Sequence, residues 1–495
     1  MNASDTTTAS RRPATAWPLE NALISAALAA QRVSWIDAPA RALGLKPFTR
    51  QHLTRQVLAQ LRRTTSGRPT RLRTAFGTFL MPLSADDATG LIRGADEAGA
   101  GGTVTALTAE GRRLRLTPHA RLPVPLDALR TQVRAAVDEE AAAIYAGRRT
   151  DGSLARADWC AYTARLARRI VLGDGAADDS LVSAILEATA RSDDSTEYAA
   201  RAAALRRRLD PYVHGAHPGG LAAADLADDT RDAVLEHALE TVTRALADTA
   251  SQALALVTVQ PPMPATDRTE RAERAERAER AVREALHRYP PLAATVHEVR
   301  VPFVWHDLTV EAGSEILCAT AWLRDLDEAK GHGSDGPSVS LCAAPAPCAA
   351  AELAVLAATE LVRALTRRAE PVVLAPHLTP DALPAALPAD SLRLALPDAD
   401  HAPRDAAPHD TDARPVADGY VPPSPGQSPA HYAELTAAGA RSLEEHARKL
   451  ADCAHQPGWN HDAFGEHCRM TLLAHAERCS RAAADARRAA DWLTN

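Results

Sequence analysis

Residues 341 to 365 read LCAAPAPCAAAELAVLAATELVRAL. From Ala349 onward alanine, the strongest helix former, is interleaved with leucines at helical spacing, so a helix is expected to begin directly after Cys348. The first turn of a helix presents free backbone amides and partial positive charge, and both favour a thiolate over a thiol. Cys348 is therefore either an iron ligand kept deprotonated by that helix end, or a small buried apolar residue, the commoner fate of a free cysteine. The rest of the chain has to choose between the two.

The chain has 495 residues, of which 46% are hydrophobic and 24% charged, a balance that suits a soluble globular protein. Aromatics are scarce at 4% while alanine and arginine are heavily used, which favours helices and disfavours a β-sandwich or barrel. The formal charge of −7 comes without a basic block free of interleaved acid, so nucleic acid is not an expected partner. No uninterrupted apolar run reaches the roughly 18 residues of a transmembrane helix, and no membrane partner is expected. Seven cysteines, at positions 160, 318, 342, 348, 453, 468 and 479, form neither a CxxC pair nor a dense disulfide spacing, which points to a reducing cytoplasmic setting. Arg11 and Arg12 precede an apolar run in the manner of a twin-arginine export signal, but Glu20, Asn21 and two prolines break it, and an amphipathic first helix is the better reading.

Along the chain, residues 1–16 are polar and expected to fray, and helical spacing runs from Pro18 to Leu61 with breaks at Pro39 and Pro47. TRLRTAF and TFLMPL, joined at Gly77, predict two short strands, followed by a helix capped by Ser84 and Asp87. Residues 90–125 are Gly-rich and loosely patterned. Helices are predicted from Leu126 to Ala146, then on either side of Gly173 and Gly175 with Asp178 or Asp179 capping the second, and from Asp232 to Val259. TERAERAERAERAVREALHRYPP is a solvated helix whose Glu–Arg pairs at i,i+4, such as Glu276 with Arg280, contribute about 0.2–0.5 kcal/mol each. The alternating VHEVRVPFVWHDLTVEAGSEILCATAW predicts short strands. Residues 397–428, rich in Pro, Asp and Ala, read as a linker, and residues 429–495 as a separate αα-hairpin. Within it Cys468, His475 and Cys479 share one helix face and His446 and Cys453 another, a pattern more typical of packing seams than of a zinc module.

The order of elements from Thr70 to about Leu396 resembles the cytochrome P450 family over roughly two thirds of the chain. VREALHRYPP resembles its ExxR helix, VWHDLTVEAGSEIL the small sheet that follows, and LCAAPAPCAAAELA stands where the family writes FxxGxRxCxGxxLA. The resemblance implies a mainly α fold with small β-sheets over residues 17–396. It also implies haem b held through Cys348 as the axial metal ligand, Glu284 as the structural acid of the ExxR helix, and His287 and His297 as propionate or loop partners. Asp248 and Thr249, within TRALADTASQALAL, stand where the family relays protons to bound oxygen. The sequence also departs from the pattern. Leu341, Ala344, Ala346 and Ala350 replace the aromatic residue, first glycine, propionate arginine and second glycine, while Cys348, Leu353 and Ala354 are kept. His287 stands where the ExxR arginine belongs, and Arg288 lies one residue on, about 100° around the helix.

Two functions follow from the resemblance. One is a monooxygenase that inserts an oxygen atom into a small organic substrate of secondary-metabolite type, with electrons from a ferredoxin and its reductase. The other is a catalytically degenerate relative that serves as a binding or activating partner of another biosynthetic enzyme, its C-terminal hairpin being the docking module.

Overall fold

The Ser84 hydroxyl accepts a hydrogen bond from the Asp87 amide at 3.0 Å, so the helix Ala85–Glu97 starts where the Ser-x-x-Asp spacing predicts. Just before it, strands Thr70–Thr74 and Gly77–Met81 pair antiparallel with Thr74 opposite Gly77. Gly77 closes the turn with a φ of +136°, a conformation an L side chain rarely adopts. The structure, a computed structural model, describes residues 13–31, 50–108, 113–122, 124–192, 194–215, 220–260, 270–319, 338–343, 348–376 and 387–397, with shorter pieces between these and scattered positions from 437 to 491.

Two compact units divide the chain, Met1–Asp410 and Thr411–Asn495. The described helices of the first include α1 (Pro18–Gln31), α2 (Arg50–Thr64), α3 (Ala85–Glu97), α4 (Leu126–Ala146), α5 (Arg156–Leu172), α6 (Ser180–Ala190) and α7 (Ser195–Val213). They continue with α8 (Asp228–Arg244), α9 (Ala250–Val259), α10 (Glu270–Arg288) and α11 (Ala349–Arg368). A seven-stranded mixed sheet runs, edge to edge, Ala14–Thr15, Thr70–Thr74, Gly77–Met81, Glu315–Cys318, Leu292–Val299, Gly101–Thr108 and Arg113–Arg115. The unit is thus mainly α with small β-sheets, as its composition and periodicity predict.

The largest apolar core lies in the helical part, where α4, α5, α8, α9, α10 and α11 share one continuous cluster. Alanine makes this possible. Ala350, Ala354, Ala357 and Ala358 on α11 are all buried and carry only a methyl group, so neighbouring helices approach closely. One buried charge on α11 is compensated, because Glu360 pairs with Arg134 of α4 at 3.0 Å and with Arg363.

Four differences from the sequence reading have physical causes. Residues 14 and 15, expected to fray, pair in parallel with Thr70 and Arg71, and Ala16 is buried behind them. Gly101–Thr108, inside the loosely patterned region, is a strand paired antiparallel with Arg113–Arg115 on one side and on the other with Leu292–Val299, a partner nearly two hundred residues away that no local pattern reveals. Asp179 does stand at the N-cap of α6, but its carboxylate accepts from Arg208 (2.7 Å) and Tyr212 (2.8 Å) of α7 rather than from its own helix. Finally, the predicted helix from Asp232 to Val259 begins at Asp228 and is interrupted by a π turn, Ala245–Thr249, which separates α8 from α9.

In the second unit the described residues from 437 to 454 and from 469 to 491 are helical. Ala440, Ala447 and Ala454 are buried at seven-residue spacing, as are Ala476 and Ala483, and Glu444 pairs with Arg487. Past residue 397 the expected linker lies outside the described residues, as do His446, Cys453, Cys468, His475 and Cys479.

The close approach along α11 is open to direct measurement. Ala357→Leu, which forces three extra carbons into a packed seam, is expected to lower stability by about 1–3 kcal/mol in urea denaturation.

Candidate functional site

Cys348 is the N-cap of α11, with extended backbone (φ −108°, ψ 113°), so its side chain sits at the electropositive end of a twenty-residue helix. It is buried, at 1% exposure. Its sulfur faces α8. His237 Nε2 lies 3.3 Å from Cys348 Sγ and 3.4 Å from the Sγ of Cys342, which follows the short helical turn Ser338–Leu341. His119, from the segment after strand Arg113–Arg115, packs edge-on to His237 with ring centroids 5.2 Å apart. One ligand atom from each of His119, His237, Cys342 and Cys348 falls within 4.8 Å of every other.

The orientation of His237 is built from α8 itself. Glu240, one turn on, accepts hydrogen bonds from the Thr117 amide (2.9 Å) and the Thr117 hydroxyl (2.5 Å), and pairs with Arg244 at 2.6 Å. Since that hydroxyl donates to Glu240, it is left to accept from His237 Nδ1 at 3.5 Å. The network thereby assigns the proton to Nδ1 and turns the Nε2 lone pair toward the two sulfurs. Arg244 also donates to the Leu341 carbonyl at 2.9 Å, tying α8 to the residue before Cys342. The Cys348 thiol is held below its ordinary range by the hydrogen bond with Cys342, against the opposing effect of burial, and further by His119.

The other residues singled out from the sequence lie elsewhere. Asp248 is held by Arg156 at 2.7 Å, and Thr249 is fully buried, its hydroxyl without a hydrogen-bond partner among the described residues. Both follow His237 by at least eleven positions, about 16 Å along the helix axis at 1.5 Å per residue, so the segment of helix against Cys348 is not theirs. Glu284 pairs with Arg288 at 2.8 Å across one turn of α10, as its spacing predicts, and His287 is half-buried on the same helix. His297 is buried in its strand, bonded to Thr295 Oγ1 at 2.9 Å. None of these joins the group around Cys348 among the described residues.

His119, His237 and Cys342 are not singled out by sequence reasoning. For Cys342 a signal exists, a second cysteine six positions before the first in the same stretch. For the two histidines there is none, because they reach the site from positions separated by more than a hundred residues from each other and from the cysteines.

No family model matches the chain, and no curated protein matches it either. Solved structures similar to it are cytochromes P450, the family that the sequence motifs resemble. CYP108D1 from Novosphingobium aromaticivorans is 14% identical with a TM-score of 0.48, over 76% of this chain and 100% of that one. A six-coordinated cytochrome P450 from Thermus thermophilus is 18% identical with a TM-score of 0.43, over 69% and 98%. P450BioI, solved in complex with an acyl carrier protein ligated to hexadec-9Z-enoic acid, is 13% identical with a TM-score of 0.43, over 70% and 98%.

A haem bound through Cys348 Sγ would have to lie between that sulfur and the long helix facing it. In this structure His237 of that helix already touches the sulfur, and Cys342 closes around the same imidazole. The neighbouring faces of α8 and α11 belong to one packed core. Among the described residues, those around Cys348 do not fit haem.

The buried His297 gives a test by titration. Burial lowers its pKa from 6.5 to about 4, so the folded protein holds it neutral where the unfolded chain protonates. Between those two values the unfolded state binds more protons, and stability falls as the pH is lowered through that window. The midpoint of thermal unfolding is expected to drop from pH 7 to 4.5, and His297→Gln should flatten that dependence.

Proposed function

We propose that this protein keeps the architecture of a haem-thiolate enzyme without its haem, and acts as a binding or activating partner of another biosynthetic enzyme. The observation that carries this reading is the 3.3 Å contact between His237 Nε2 and Cys348 Sγ, which fills the place where a porphyrin would attach. Three further features support it. Alanine stands at position 346, where the resemblance calls for the propionate arginine, and His287 where it calls for the ExxR arginine. Asp248, the relay acid of the resemblance, is neutralised by Arg156. The compact second unit, with its two runs of buried alanines, supplies an accessory module of the kind a partner protein uses, and residues 429–495 are best read as an αα-hairpin.

The competing monooxygenase reading, with a ferredoxin and reductase as electron donors, rests on the retained cysteine at a helix N-terminus. Spectroscopy separates the two. Protein purified from cells supplemented with a haem precursor is expected to be colourless, and after reduction and exposure to CO to lack the Soret band of thiolate-ligated haem. A stoichiometric band of that kind, abolished by Cys348→Ala, would falsify the haem-free reading.

A further inference from the structure

The group around Cys348 has the composition and shape of a site for a transition metal ion. Two cysteines and two histidines supply four ligand atoms, the set that borderline-soft Zn²⁺ takes in closed, tetrahedral structural sites. Bond lengths of about 2.3 Å to sulfur and 2.0–2.1 Å to nitrogen make the edges of such a tetrahedron about 3.3–3.8 Å. The measured edges, 3.3 Å from His237 Nε2 to Cys348 Sγ and 3.4 Å from His237 Nε2 to Cys342 Sγ, fall at the short end of that range. All remaining edges are within 4.8 Å.

Charge points the same way. Two thiolates and two neutral imidazoles carry a charge of −2, which a divalent cation cancels, so the ion would be buried without leaving an uncompensated charge. Three of the four ligands are buried, and the exposed one, His119, gives the ion a path from solvent. The hydrogen-bond chain from His237 Nδ1 through Thr117 to Glu240 is the arrangement that fixes a metal-binding imidazole in one tautomer and aims its free nitrogen at the ion.

We propose that His119, His237, Cys342 and Cys348 bind one Zn²⁺ as a structural clamp, joining the segment after strand Arg113–Arg115, α8 and the stretch leading into α11. The clamp uses the cysteine that would otherwise ligate haem iron, so it rests on the reading of the protein as haem-free. With four protein ligands the ion has no open position for a substrate, and its role is to hold the three segments together.

Metal and haem content of the full-length protein, measured on the same samples, test this. Mass spectrometry should find one zinc per chain after exhaustive dialysis, lost in Cys348→Ser and in Cys342→Ser and retained in Cys318→Ser, whose buried cysteine lies outside the group. Cobalt loaded in place of zinc should give the intense visible absorption of tetrahedral Co²⁺ and a near-ultraviolet thiolate-to-cobalt band, both absent in Cys348→Ser. Because buried substitutions can unfold the chain, the exposed His119→Ala and the positioning variant Thr117→Val provide a second measurement. Each should weaken zinc in competition with a chelator, Thr117→Val by roughly 10–100-fold, while circular dichroism keeps its helical signal. Zinc that persists undiminished in all four variants overturns the proposal. Protein that is folded and free of both zinc and haem also overturns it while leaving the haem-free function standing, whereas haem in place of zinc overturns both.

Discussion

The contact between His237 and Cys348 joins the middle of α8 to the head of α11, two helices that share one packed core. The buried side of α11 mixes small residues with large ones, Ala350, Ala354, Ala357 and Ala358 with Leu353, Leu361 and Leu365. There an imidazole on α8 reaches the sulfur at the head of α11. The rest of the site then follows in order. Glu240 anchors Thr117, Thr117 orients His237, and Arg244 holds the backbone at Leu341, which brings Cys342 to the same imidazole.

The same fold can therefore hold two different chemistries at one cysteine. An axial thiolate needs an open face and groups to hold the propionates of its macrocycle. A thiolate in a tetrahedral cluster needs three other ligands at short range and no open face at all. In this chain alanines stand at three of the positions that the resemblance assigns to the first arrangement, Ala344, Ala346 and Ala350, and the residues that serve the second are gathered from three separate segments.

How much of this the sequence shows depends on how local each feature is. The Ser84 cap, the Gly77 turn and the Glu284–Arg288 pair are decided within four residues, and each stands where its spacing places it. Cys348 at a helix start is legible for the same reason. The two histidines are not, because their partners lie a hundred residues or more away and are chosen by packing, and the strand Gly101–Thr108 is hidden in part for the same reason, one of its two partners being Leu292–Val299. The partner of Asp248 is hidden for a related cause: its position along the chain suits a relay acid, while Arg156, which pairs with it, stands about ninety residues earlier. Cys342 is the instructive case. It stands beside Cys348 in the same stretch, yet a pattern with a single ligand gives it no role.

The π turn at Ala245–Thr249 has a consequence for how α8 and α9 vary. A π turn accommodates one residue more than the α ladder, which offsets the helical phase on its two sides by roughly 100°. α8 can thus keep the phase that aims His237 at the sulfurs while α9 keeps the one that carries the Gln252 amide to the Leu387 carbonyl at 2.8 Å. Removing a single residue from the turn would restore a regular helix and force one end to give up its alignment. The bulge works as a joint that lets two surfaces of one rod be tuned independently, so changes that repack α9 need not be felt at His237, thirteen residues before its start.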